Sequence, residues 1–316
     1  MKRILAALLA AVILIAAFTG CSSSKKDSGK LKIIATIFPE YDWVKNIVGD
    51  VDNAEVSLLV DKGVDMHSYE PTADDIVNIS SCDVFIYVGG ESDKWVDDAL
   101  KTATNKDMVA INLLDELGSA VKEEEIIEGM EAVEEEEEGD ETEYDEHVWL
   151  SLKNASTLCQ VIADKLGEKD SANKDAYDKN AKEYITKLNS LDTRYSEMCK
   201  SAKNKTLIFA DRFPFRYMTD DYGLKYYAAF TGCSAESEAS FKTIVFLAEK
   251  LDELNLKKLI IIDGSDKKIA NAVADTALTE TVELLPLDSM QSAIDDGDTY
   301  LSIMEENYEV LKDALN

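Results

Sequence analysis

The chain predicts an α/β protein of two lobes, each with a mostly parallel sheet flanked by helices, joined by one long rigid helix. Three observations carry this. Short apolar runs of strand length alternate with amphipathic helical stretches, the pattern of βαβ units. The alternation occurs twice. Between the two series lies a helical pattern of more than thirty residues without Gly or Pro, at 169–202.

The first series opens with Leu31-Lys32-Ile33-Ile34-Ala35-Thr36, which reads as a buried strand, and Phe38-Pro39 breaks it. Residues 41–48 then bring Trp43, Val44, Ile47 and Val48 onto one helical face. Further strands are expected at 54–60, 84–88 and 109–113, with helices at 73–79, 94–102 and 152–166. The span 122–146 interrupts the pattern. It holds 15 acidic residues in 25, including five consecutive glutamates from Glu134 to Glu138. Like charges this dense repel and stay solvated, so a mobile loop is expected there.

In the long helical stretch, Tyr177, Ala181, Tyr184, Ile185, Leu188 and Leu191 recur at helical spacing, which suits a connecting rod. The second series has strands at 206–210, 225–229, 258–262 and 281–285, and helices at 215–221, 240–254, 266–277 and 300–315. The expected lobes are therefore 31–168 and 203–316. In open α/β sheets ligands bind beyond the carboxyl ends of the strands. Two such lobes facing one another would enclose a cleft.

The whole chain bounds the function. Its 316 residues are enough for two cores, and 33 Lys and Arg against 63 Asp and Glu give a net charge of -30. Phosphate binding needs Lys and Arg, so nucleic acid is excluded as a partner. A strongly negative surface attracts cations.

Residues 1–20 read as a targeting segment. Lys2 and Arg3 precede an apolar run at 4–18, too short for an ordinary membrane span. Phe18-Thr19-Gly20-Cys21 follows, then a polar tether at 21–30. Small residues before a Cys and a polar run after it resemble the lipobox of bacterial lipoproteins. That resemblance implies cleavage before Cys21, lipid on its thiol, and anchorage on the extracytoplasmic face of the cell membrane. The other cysteines, Cys82, Cys159, Cys199 and Cys233, show no CxxC spacing and read as buried free thiols, although this compartment permits disulfides.

The chain has two histidines, His67 and His147. Neither lies in an apolar stripe. His67 follows the strand candidate at 54–60, and His147 stands where the acidic loop re-enters the fold. Imidazole is the commonest zinc ligand in proteins and serves neighbouring metals too. Asp65-Met66-His67-Ser68-Tyr69-Glu70-Pro71-Thr72 and Asp145-Glu146-His147-Val148-Trp149-Leu150-Ser151 resemble the two histidine motifs of the zinc/manganese solute-binding proteins of ABC transporters, the cluster A-I family. Thr36-Ile37-Phe38-Pro39, Phe85-Ile86-Tyr87-Val88-Gly89-Gly90 and Tyr222-Gly223-Leu224 extend the likeness over about 31–316.

The resemblance implies a divalent metal held between the lobes and passed to an ABC-transporter membrane permease by a monomeric carrier. It also implies a third ligand, His or Glu, in the segment Phe209-Ala210-Asp211-Arg212-Phe213-Pro214-Phe215-Arg216-Tyr217. No His is present there. Asp211 is the nearest donor, one residue out of register with Arg212, whose permanent charge forbids ligation. An alternative role for Asp211 is pairing with Arg212 or Arg216. A fourth, acidic ligand falls in Asp263-Gly264-Ser265-Asp266, where Asp266 is favoured over Asp263, although either Asp could instead cap the following helix.

Two imidazoles with carboxylates suit Zn2+, with Mn2+ or Fe2+ as the alternative. The resemblance also favours zinc, since its zinc-binding members commonly carry a long loop rich in His and acidic residues where this chain has its acidic loop. An enzyme is the competing class, because His and Asp around a metal can activate water. No HExxH, GxSxG or GxxxxGK[ST] motif occurs, and the reading here is not an enzyme. An adhesin role, assigned to some relatives, would be compatible with transport.

Overall fold

The computed structural model describes residues 29–60, 64–131, 143–234, 238–291, 294 and 297–316. The expected leader, Cys21 and the glutamate run lie outside the described residues. No helix among the described residues is long and apolar enough to cross a membrane.

The chain from Leu31 to Asn316 packs as one unit. Its first lobe holds β1 (Leu31–Ala35), α1 (Phe38–Val48), β2 (Ala54–Leu58), α2 (Ala73–Ser81), β3 (Val84–Tyr87), α3 (Val96–Lys101), β4 (Val109–Asn112) and α4 (Leu113–Leu117). Two helices follow, α5 (Leu152–Lys169) and α6 (Lys174–Ser201). The second lobe holds β5 (Thr206–Phe213), α7 (Arg216–Tyr222), β6 (Lys225–Thr231), α8 (Phe241–Glu253), β7 (Lys258–Ile262), α9 (Lys268–Thr276), β8 (Glu283–Leu287) and α10 (Tyr300–Ala314).

Both sheets are entirely parallel, and both follow one plan. The strand order is β2-β1-β3-β4 in the first and β6-β5-β7-β8 in the second. In each, the chain leaves the first strand in one direction and later crosses to its other side. The crevice at that reversal is where α/β sheets bind ligands.

The expected elements form because their patterns are buried as the periodicity requires. In β1 the apolar Leu31, Ile33, Ile34 and Ala35 are buried, as expected for a strand covered on both faces. In α1, Trp43, Val44 and Ile47 are fully buried, and Pro39 stands in the first turn, where its missing N–H costs nothing. The segment after β4 differs from expectation. Asn112 accepts from the Asp115 N–H at 3.2 Å and starts the short helix α4.

One apolar core runs through α1, α5, α6 and α10 and joins the lobes. Trp43 and Tyr300 meet edge to face with centroids 5.3 Å apart. The long helix α6 is tied at both ends. Asn180 Nδ2 donates to the Ile47 carbonyl at 3.0 Å, and the Tyr184 hydroxyl to Asp42 at 3.1 Å. Further along, the Tyr195 hydroxyl donates to the Met304 carbonyl, and Arg194 pairs with Glu305 at 2.8 Å. Before α6, Asp170 accepts from Asn173 and Tyr177, so the helix begins at Lys174 rather than running on from α5.

The described flanks of the acidic segment form no helix or strand, as expected of a loop, but they are hydrogen-bonded to the second lobe. The Glu131 N–H donates to the Ala229 carbonyl at 2.9 Å, and the Thr243 hydroxyl donates to the Gly129 carbonyl at 3.1 Å. Met130 is buried. Glu123 and Tyr144 form a bridge. Ile127 and Met130 supply apolar anchors that the charge count obscures.

Candidate metal centre

His67 lies in the single turn Met66–Ser68 beyond β2. Asp65 caps that turn by accepting from the His67 N–H at 3.0 Å. His147 precedes the turn Val148–Leu150. It is 0 % exposed and sits beside Trp149, with ring centroids 5.3 Å apart.

Each ring is oriented through its Nδ1. His147 Nδ1 lies 2.9 Å from Asp145 Oδ1, which also accepts from the His147 backbone N–H at 2.9 Å. His67 Nδ1 lies 2.7 Å from the Ser92 oxygen. Ser92 gives its hydroxyl proton to Glu146 Oε2 at 2.5 Å and its N–H to Glu146 Oε1 at 2.9 Å. Since that hydroxyl proton is used, the Ser92 oxygen accepts from His67 Nδ1–H. Both Nε2 atoms are then left with lone pairs, the state a metal requires.

Those Nε2 atoms are 3.2 Å apart. A tetrahedral zinc with bonds of about 2.0–2.1 Å spaces two ligand nitrogens by roughly 3.3–3.4 Å. The pair therefore fits a shared ion with almost no movement.

The second lobe contributes from two loops. Gln291 Nε2 lies 2.7 Å from both imidazole Nε2 atoms, so its amide donates to both lone pairs. Its Oε1 is buried without a partner. Cys233 follows β6, and its N–H is accepted by Glu124 at 3.2 Å. Among the described residues, ligating atoms of His67, His147 and Cys233 lie within 4.8 Å of one another. The residue before Cys233 must be small. A Cβ on Gly232 would stand 2.7 Å from His147 Cε1.

Burial dominates the electrostatics. Burial, then the facing His147 ring, lowers His67 to about 3. Burial raises Glu146, with the Ser92 hydrogen bonds opposing it. Burial pushes Asp93 up to about 7, opposed by the Gly89 N–H and reinforced by Glu146. Burial, then Asp93, pushes Glu40 up to about 8. Burial and then the carboxylates Glu146, Glu124 and Asp145 push the Cys233 thiol well above its ordinary value.

The remaining expected ligands hold other partners. Asp211 and Asp266 line the same cleft as His67, a space of about 330 Å³, but neither joins the imidazoles. Asp211 accepts from the Arg212 N–H at 2.9 Å and the Ile262 N–H at 3.2 Å, which binds it to its own sheet. Asp266 is exposed, caps the start of α9 through the Lys268 N–H at 3.0 Å, and pairs with the Lys268 ammonium. Asp263 is exposed as well. Arg212 instead reaches Asp65 in the first lobe at 2.9 Å.

Sequence reasoning missed Gln291, Ser92 and Cys233. One signal was available for Cys233. Thr231-Gly232-Cys233 sits at the carboxyl end of a strand, where such sheets place their sites.

A two-lobe α/β fold with paired imidazoles in its cleft is the arrangement of a solute-binding protein. The family described as zinc-uptake complex component A, periplasmic, matches residues 33–314, and the chain belongs to that family. It is 34% identical over 319 residues to the zinc-binding lipoprotein AdcA of Streptococcus pneumoniae, which covers 99% of this chain and 61% of the relative. The chain thus spans less than two thirds of that relative's length. It is 33% identical to the high-affinity zinc uptake system protein ZnuA of Bacillus subtilis, over 97% of this chain and 96% of the relative. The Zn(II)-bound ZnuA-like domain of Streptococcus pneumoniae AdcA superposes with a TM-score of 0.70 at 30% identity, covering 91% of this chain and 99% of that domain.

Proposed function

We propose that this chain captures Zn2+ outside the cell and delivers it to the permease of an ABC importer, with His67 and His147 holding the ion. The observation that carries the reading is the pair of Nε2 lone pairs 3.2 Å apart, each fixed by a partner at Nδ1. The family and the zinc-binding names of the relatives support the choice of ion. Lipid on Cys21 would anchor the carrier to the membrane, and the carrier would work as a monomer. Capture rather than turnover suits a site whose donors converge on one point and are enclosed by both lobes.

The test is a zinc titration against a chromophoric chelator. One ion should bind per chain, and His67→Ala or His147→Ala should weaken it at least about 100-fold, since zinc sites derive some 10–16 kcal/mol from about four ligands. Wild-type affinity in either variant would refute the reading.

A further inference from the structure

We propose that Cys233 is the third metal ligand, delivered as a thiolate from the second lobe, and that it makes the site prefer zinc to manganese. The inference rests on the reading of His67 and His147 as ligands. Neither cleft carboxylate that the sequence favoured is free for the role, because Asp211 is bound to the Arg212 and Ile262 N–H groups and Asp266 to Lys268. Cys233 is the side chain that the structure places with both imidazoles, ligating atoms within 4.8 Å of one another. Gly232 permits this approach, since any Cβ there would strike the His147 ring.

Gln291 marks the same point independently. It is 5% exposed, its amide nitrogen lies 2.7 Å from each imidazole Nε2, and its Oε1 has no partner. Two lone pairs that would face a cation are met instead by a neutral amide. The position is thus built for a positive group and lies next to the thiol.

The binding step balances simply. The Cys233 S–H bond breaks, its proton passes to solvent, and a sulfur–metal bond forms with no change of oxidation state. Two neutral imidazoles, one thiolate and Zn2+ leave a single positive charge, which Asp145 and Glu146 face across the rings. Thiolate favours zinc over manganese, whose preferred donors are carboxylate, carbonyl and water.

The experiment uses the full-length chain in detergent, loaded with Cd2+ or Co2+. Wild type should show sulfur-to-metal charge-transfer absorption in the near ultraviolet. Cys233→Ser should lose that band, whereas Cys199→Ser, altered in the core, should keep it. Zinc affinity should fall at least about 100-fold in Cys233→Ser, with manganese affected less. Peptide-mapped alkylation of wild type needs no variant, and zinc should protect Cys233. Stoichiometric, histidine-dependent binding with no thiolate band and no protection would overturn this inference and leave the zinc reading standing. No binding of any of these ions would overturn both.

Discussion

Arg212 and Asp65 face each other across the cleft, Nη2 to Oδ2 at 2.9 Å. The two belong to different lobes, and Asp65 also caps the turn that carries His67. The guanidinium thus holds the cleft closed through the same side chain that shapes the His67 turn. Both side chains are about a quarter exposed, so solvent screens the pair. Asp65→Asn and Arg212→Gln should each cost about 1 kcal/mol in metal-free protein. The double variant should cost little more than either single one. Urea denaturation in the presence of a chelator measures this double-mutant cycle, and additive losses would show that the pair is not coupled.

The partners at Nδ1 should matter nearly as much as the imidazoles. Asp145→Asn and Ser92→Ala remove the acceptors that set each ring's tautomer. Zinc affinity should drop about 10–100-fold in each, with one ion still bound per chain. Chelator competition reads the loss. Unaltered affinity would mean the rings are held by packing alone.

Gln291 should oppose the metal. Its amide occupies both Nε2 lone pairs, so the ion has to displace it. Gln291→Ala should therefore tighten zinc binding severalfold while lowering the stability of the metal-free protein by about 1 kcal/mol. Weaker zinc binding in this variant would instead make the amide oxygen a ligand.

Glu40 should make the fold lose stability as the pH rises from acid to neutral. Burial, then the charge of Asp93, raises it from the ordinary 4.5 to about 8, against the pull of the Thr36 and Ile37 donors. Below 4.5 both folded and unfolded chains hold the proton, and the contribution is complete. Between 4.5 and about 8 only the folded chain holds it, so stability falls by up to about 1.4 kcal/mol per pH unit. Glu40→Gln keeps an acceptor for Thr36 and cannot ionise. Its stability from pH 5 to 8 should decline less than that of wild type, measured by denaturant unfolding. Parallel curves would show that Glu40 ionises without cost.

The elements were legible in the sequence because their cues are local. Apolar runs such as Ile33-Ile34-Ala35 and Leu259-Ile260-Ile261-Ile262, short and rich in β-branched residues, read as covered strands, and the long stripe of α6 reads as a packed helix. His67 and His147 were legible because no other imidazole competes with them. The engagement of Asp211 with its own sheet has a geometric reason. The β5–β6 register shifts between Phe209 and Arg212, which turns Asp211 toward the Ile262 N–H and Arg212 toward Asp65. A one-residue irregularity in a strand decides which neighbour faces the cleft, and no spacing rule reports it. Cys233 and Gln291 reach the imidazoles only through the folding of β6 and of the segment after β8, so their spacing from the histidines carries no cue.

The ties along α6 bear on how a full molecule is told from an empty one. Its 28 residues form a strut about 42 Å long, fastened to α1 near one end and to α10 near the other. A wide swing of the lobes would break those fastenings and expose the core beneath Trp43 and Tyr300. A metal ion bound as proposed should therefore leave the outline of the molecule nearly unchanged. Any docking partner that discriminates between the two forms has to sense the rim, where the loops bearing His67, Cys233 and Gln291 meet.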